Sequence, residues 1–236
     1  MRCFRAAALL AAAALAIAPA ACRRSTVGTT AATATTDVSP APAQPLDDSR
    51  PKIVALGDSL TAGLGLPQSQ SYPSLLQADL DRDGYHFDVV NAGVSGDTTA
   101  AGLARLDWAL QSGNVKILIL ELGANDGLRG LPVDQMKQNL TGIIERAQQQ
   151  HIAVLLLGME APPNYGAEYA RSFREVYRDL ARSRDITLVP FMLDGVAGRS
   201  DLNQADGIHP NTVGTQIVAK TIWQRLKPML DAADAS

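Results

Sequence analysis

Cysteine is almost missing from this chain: Cys3 and Cys22 are the only two, and both sit near its start. Residues 1–21 read as a secretory signal. Arg2 and Arg5 make a basic start, and the apolar run that follows ends at Pro19, too early to span a bilayer. Cys3 leaves with that signal, so no intramolecular disulfide is open to the mature chain and its core must hold the fold. No HExxH and no surviving cysteine pair offers a metal site, and no GxGxxG or GxxxxGK[ST] run offers a phosphate cradle. Aromatic residues are 5% of the chain and the net charge is −3. With the signal removed, 19 basic face 24 acidic side chains. That balance excludes a nucleic-acid partner. We expect no cofactor, no metal and a monomer.

The start of the chain carries two readings. Ala18-Pro19-Ala20 fits an A-x-A cleavage pattern. Residues 19–22, PAAC, resemble a bacterial lipobox with Cys22 as the lipidated first residue, although Pro19 stands where that motif prefers leucine. Residues 22–50 are rich in Thr, Ala, Ser and Pro without apolar period and read as a flexible tether. The folded domain is then 51–236, exported to the periplasm, anchored to a membrane through Cys22, or secreted.

From Lys52 onward, short apolar runs alternate with amphipathic patterns. KIVAL (52–56), FDVV (87–90), KILILEL (116–122), IAVLLLG (152–158) and ITLVP (186–190) read as strands buried on both faces. Helical stripes fall at Met136, Leu140, Ile143, Ile144 and Ala147, and at Tyr169, Phe173, Val176, Tyr177 and Leu180. Leu103, Leu106 and Leu110 predict one helix over 98–110. Val213, Ile217, Ile222 and Leu226 predict a last helix from about Thr212. Such alternation predicts an α/β fold: an open, parallel, five-stranded sheet with helices on both faces. Ligands of such sheets sit beyond the carboxyl ends of the strands.

Polar and glycine-rich blocks follow those ends: Gly57-Asp58-Ser59-Leu60, then Asn91 to Gly96, then Gly123 to Gly127, then Asp206 to Asn211. Each alone could be a helix cap or a turn. Together they hold what acyl transfer needs: a nucleophile, a base, a group to orient the base, and oxyanion donors. Of three histidines, His86 and His151 fall before strands, at the wrong end of the sheet. His209 follows Asp206 by three positions, and in a single turn the two project to one side. The elbow of an α/β-hydrolase, G-x-S-x-G, is not met, because Thr61 stands where the second glycine should be. A flavodoxin-like phosphate-binding module is opposed by Asp58, whose charge repels phosphate.

GDSL at 57–60, Gly93 within NAGVSGDTT, GAND at 123–126 and DGIHP at 206–210 together resemble the GDSL/SGNH hydrolase family, over roughly residues 52–230. LGANDGLRGLP and PPNYGAEYARSFREVYRDLA are similar to its bacterial periplasmic thioesterase, arylesterase and lysophospholipase branch. Ala124 departs from the pattern, which has a second glycine there.

The resemblance implies a three-layer α/β/α sandwich with a flavodoxin-like sheet. It implies Ser59 as nucleophile, His209 as base and Asp206 as its orienting acid. The oxyanion falls to the N–H groups of Ser59 and Gly93 and the amide of Asn125. Asp58 and Asp126 are expected to be structural. Leu128, Arg129 and Leu131 form a loop beside the acyl chain of a small-molecule or lipid ester, with Tyr165 on the opposite wall. The other enzymatic reading is a carbohydrate or peptidoglycan O-acetylesterase with the same residues and a smaller pocket.

Overall fold

The computed structural model describes residues 50–234. The segment read as an export signal, Cys22 and the segment read as a tether, up to residue 49, lie outside the described residues. Five parallel strands, β1 (Lys52–Gly57), β2 (Asp88–Gly93), β3 (Val115–Glu121), β4 (Ala153–Leu157) and β5 (Thr187–Val189), form one sheet in the order β2-β1-β3-β4-β5. This is the doubly wound order whose reversal lies between β1 and β3, so the crevice for a ligand opens above those two strands.

The helices are α1 (Ser59–Ala62), α2 (Tyr72–Asp83), α3 (Thr99–Ala104), α4 (Leu106–Leu110), α5 (Ala124–Leu128), α6 (Val133–Gln149), α7 (Ala167–Arg184) and α8 (Thr212–Asp234). The chain winds one way from β1 to β2 and the other way from β3 to β5. Right-handed crossovers then put the connecting helices on opposite faces. α2 packs with α8, and α6 packs with α3 and α7. The inner strands are buried on both sides, with Ile53 to Leu56, Ile117 to Leu120 and Leu155 to Leu157 almost wholly inaccessible. This burial explains why they read as continuous apolar runs rather than as alternations.

The stripes on α6 and α7 are buried as their spacing predicts, with Tyr169 at the margin. Four expectations change. β2 runs on to Gly93 instead of ending at Val90, because Asn91 and Gly93 stay in register with Ala55 and Gly57. The single helix expected over 98–110 breaks at Arg105, whose φ of −106° and ψ of 7° leave the helical region. There its guanidinium reaches Asp97 Oδ2 at 2.5 Å and Gly57 O at 2.9 Å. α2 had no counterpart among the sequence-predicted helices, although Leu76 and Leu80 are spaced for one and Gly84 ends it at a φ of 82°. In α8 the buried face is Val218, Ala219, Ile222, Leu226 and Leu230, while Val213 is exposed.

Candidate active site

β1 delivers Ser59. Directly after Gly57 the chain turns into α1, and Asp58 caps that turn by accepting the Leu60 N–H at 3.0 Å. The turn is tight. A Cβ at Gly57 would stand 1.9 Å from Thr61 Oγ1 and 2.6 Å from Glu121 Oε2, so no larger residue fits between the strand and the packed groups beneath it. Ser59 is partly exposed, and its hydroxyl faces a residue 150 positions away: His209 Nε2 lies 2.9 Å from Ser59 Oγ.

Asp206 and His209 sit in a compact turn ahead of α8. One carboxylate oxygen of Asp206 accepts the N–H groups of Ile208 at 2.9 Å and His209 at 3.0 Å. The other lies 2.7 Å from His209 Nδ1. Those two backbone N–H groups, then the imidazole, hold the Asp206 carboxyl at about 2, below its ordinary 3.8. It therefore remains an anion at any pH above that value. An anion at Nδ1 sets the tautomer in which Nε2 accepts a proton, and it stabilises the imidazolium that results. The turn thus shapes the pair before any substrate arrives.

Asn125 enters α5 after Gly123, whose φ of 117° lets the chain reverse above β3. Its Nδ2 donates to Asp58 Oδ2 at 3.1 Å and to Asp97 O at 3.0 Å. Asp126 faces the other way. Its carboxylate takes the Thr99 N–H at 2.8 Å and Thr99 Oγ1 at 2.6 Å, tying α3 to α5. Asp58 and Asp126 are therefore structural in the manner expected from sequence, although Asp58 also holds Asn125.

Gly93 is used differently from the expectation. Its N–H donates to Asn91 Oδ1 at 3.0 Å, on the open edge of β2. A Cβ there would lie 2.3 Å from the backbone nitrogen of Ala62. The glycine is needed because α1 lies against the end of β2. Three residues on, Gly96 has a φ of 88°. Its carbonyl accepts Arg129 Nη2 at 2.9 Å, and its N–H has no partner among the described residues. The signal that could have separated the two glycines was the length of β2, which the sequence-predicted strand ended too early.

A cavity of about 620 Å³ opens beside Ser59, Asn125 and His209. Leu60, Leu128, Met159, Pro162, Phe191 and Ile208 contribute its apolar walls. Leu128, at the end of α5, is among the lining residues. Arg129, Leu131 and Tyr165 do not line it. Tyr165 donates to Leu128 O at 3.1 Å and packs on Gly130, where a Cβ would meet its ring at 2.5 Å. Leu131 O accepts Tyr169 Oη at 2.8 Å. Of the three, Tyr165 holds the lining residue Leu128, while Arg129 bonds Gly96 O and Leu131 bonds Tyr169. His86 and His151 are exposed at the amino end of the sheet. Among the described residues no three His, Cys, Asp or Glu side chains group to hold a metal ion.

The chain is 44% identical to esterase TesA of Pseudomonas aeruginosa over 178 residues, 75% of this chain and 89% of that protein. It is 36% identical to thioesterase 1/protease 1/lysophospholipase L1 of Escherichia coli strain K12, over 76% of this chain and 85% of that one. Among solved structures, AlinE4, an SGNH-hydrolase family esterase, superposes with a TM-score of 0.64 at 45% identity, covering 77% of this chain and 97% of that one. The sequence model of the GDSL-like lipase/acylhydrolase family matches residues 55–217, and the chain belongs to that family.

Proposed function

We propose that this ester-hydrolysing enzyme works through an acyl-enzyme on Ser59 and takes acyl esters or thioesters with an extended apolar chain. Ser59 Oγ attacks the acyl carbonyl carbon while His209 Nε2 takes its proton. The leaving alcohol or thiol departs with that proton. Water, deprotonated by the same imidazole, then releases the acid and restores Ser59. The observation that carries this reading is the unbroken line from Asp206 Oδ2 to His209 Nδ1 at 2.7 Å and from His209 Nε2 to Ser59 Oγ at 2.9 Å.

For the oxyanion, three donors are proposed: the N–H groups of Ser59 and Gly96 and the amide of Asn125. Gly96 takes the place expected of Gly93. Support comes from its free N–H and from the Asp97 carbonyl beside it, which already accepts from Asn125 at 3.0 Å.

The substrate reading rests on the apolar cavity of about 620 Å³, which is more than an acetyl group needs. The lysophospholipase in the name of one relative refers to a lipid acyl ester and agrees with acyl chains longer than acetate. Each methylene moved from water into such walls contributes about 0.8 kcal/mol at most. We expect kcat/KM for p-nitrophenyl hexanoate to exceed that for the acetate by at least about tenfold. A preference for acetate would favour the O-acetylesterase instead.

Export is proposed from residues 1–21, and anchoring from Cys22. Mass spectrometry of the mature protein is expected to find a chain beginning at Cys22 and carrying acyl groups. An unmodified amino terminus after Ala20 would replace the anchor with simple secretion.

A further inference from the structure

From Ile117 onward β3 is apolar until its last residue, Glu121, which is fully buried. Its position follows from register: Glu121 pairs with Gly57, the residue before the nucleophile turn. Because Gly57 has no side chain, the carboxyl slides beneath that turn. Oε2 accepts the Asp58 N–H at 3.1 Å and Thr61 Oγ1 at 2.8 Å. Thr61 Oγ1 in turn accepts from Tyr72 Oη at 2.8 Å. Oε1 is buried and has no hydrogen-bond partner.

Two carboxyls therefore share this pocket, because Asp58 is also buried. Both cannot be charged so close together out of water. Asp58 has the better claim to the charge: it accepts the Leu60 N–H and the Asn125 amide and faces His209. Glu121 has Asp58 on the β1–α1 turn, Tyr72 on α2 and Tyr177 on α7 around it, and none of these is a cation. The Arg105 guanidinium reaches Asp97 through Nε and Gly57 O through Nη2; its Nη1 is buried without a partner, and it makes no hydrogen bond to Glu121. Burial first, then the charge on Asp58, pushes Glu121 well above the usual carboxylate range.

We propose that Glu121 is a positioning residue that works as a neutral carboxylic acid. It holds the turn that presents Ser59, and it leaves Asp58 as the single buried anion that orients Asn125. It touches neither substrate nor the reacting atoms. Ionising it would set two anions beneath the nucleophile and repel the Asp58 carboxylate that holds the Asn125 amide.

This inference rests on the proposed roles of Ser59 and Asn125. The test compares wild type with Glu121→Gln and Glu121→Leu on a soluble p-nitrophenyl ester, with stoichiometric phosphonate labelling of Ser59 as the check on those roles. Glutamine keeps an acceptor for Asp58 N–H and Thr61 and offers a donor where the acid proton was. Glu121→Gln is expected within about threefold of wild-type kcat near neutral pH. Glu121→Leu is expected to lose roughly 10²-fold in kcat with KM little changed, as for a displaced catalytic constellation.

A second readout is stability against pH. The unfolded glutamate ionises near the ordinary 4.5 and the folded one only well above it. The stability drawn from the neutral form is full below 4.5 and is lost as pH rises through the folded value. Glu121→Gln is expected to flatten that loss, and to remove any matching alkaline fall in kcat. The proposal is overturned if Glu121→Gln is as damaged as Glu121→Leu, or if Glu121→Leu keeps wild-type kcat. It is also overturned if the pH dependence of stability is the same in wild type and Glu121→Gln, which decides the matter even if the leucine variant does not fold. If instead Ser59 is not labelled in wild type, the reading of the site itself falls.

Discussion

Ser59→Ala is expected to lower kcat by a factor on the order of 10⁶, and His209→Ala by a similar factor. The double variant should be no slower than either alone. Nucleophile and base form one device across the 2.9 Å contact, and removing one atom of it leaves the other without a task. Folding should be unaffected in Ser59→Ala, since the fixed points of the turn are Asp58, Thr61 and Glu121, not the serine hydroxyl. KM should change little, because the apolar cavity is untouched. Rates measured in single and double variants, with thermal melts as control, check this. Losses that multiply in the double variant would mean that the two residues act separately.

Asn125→Ala is expected to lower kcat by roughly 10²–10³, the usual effect of deleting one oxyanion donor, or about 2.7–4 kcal/mol of transition-state stabilisation. In the free enzyme both N–H groups of the amide are engaged, one by the Asp58 carboxylate and one by the Asp97 carbonyl. A developing oxyanion is a stronger acceptor than a neutral carbonyl. The N–H on Asp97 is therefore the one that can be shared with the transition state, while the bond to Asp58 keeps the amide aimed. Substrate binding should be nearly normal, because the ground-state carbonyl gains far less from that donor. In a crystal structure with a phosphonate on Ser59, the phosphoryl oxygen is expected within hydrogen-bond distance of the N–H groups of Ser59 and Gly96 and of the Asn125 amide. An oxygen directed at Gly93 would restore the first assignment, and a normal kcat in Asn125→Ala would remove the amide from the hole.

Asp206→Ala would act within its own turn, removing the partner of His209 Nδ1 and freeing the N–H groups of Ile208 and His209. That local geometry is why the pair could be read from sequence at all. Three positions in one turn place two side chains on one side, whatever the rest of the chain does.

The sequence by itself determined the five strands, α6 and α7, and the end of the sheet at which Ser59, Asn125, Asp206 and His209 gather. These are consequences of short-range order. Apolar runs must be buried, stripes must face a core, and chain segments leaving parallel strands must gather at one end. Tertiary structure alone decided that the N–H of Gly93 is engaged by Asn91 while that of Gly96 has no partner among the described residues, because the end of β2 is set by its pairing with β1 and not by its own residues. It alone decided that Leu128 lines the cavity while Arg129, Leu131 and Tyr165 do not, since neighbours in sequence part according to what packs against them. It also gave Glu121 its meaning. In the sequence it is one charged letter at the end of KILILE; beside Gly57, out of reach of water, it is a second carboxyl under the nucleophile, and two buried carboxyls cannot both hold their charge.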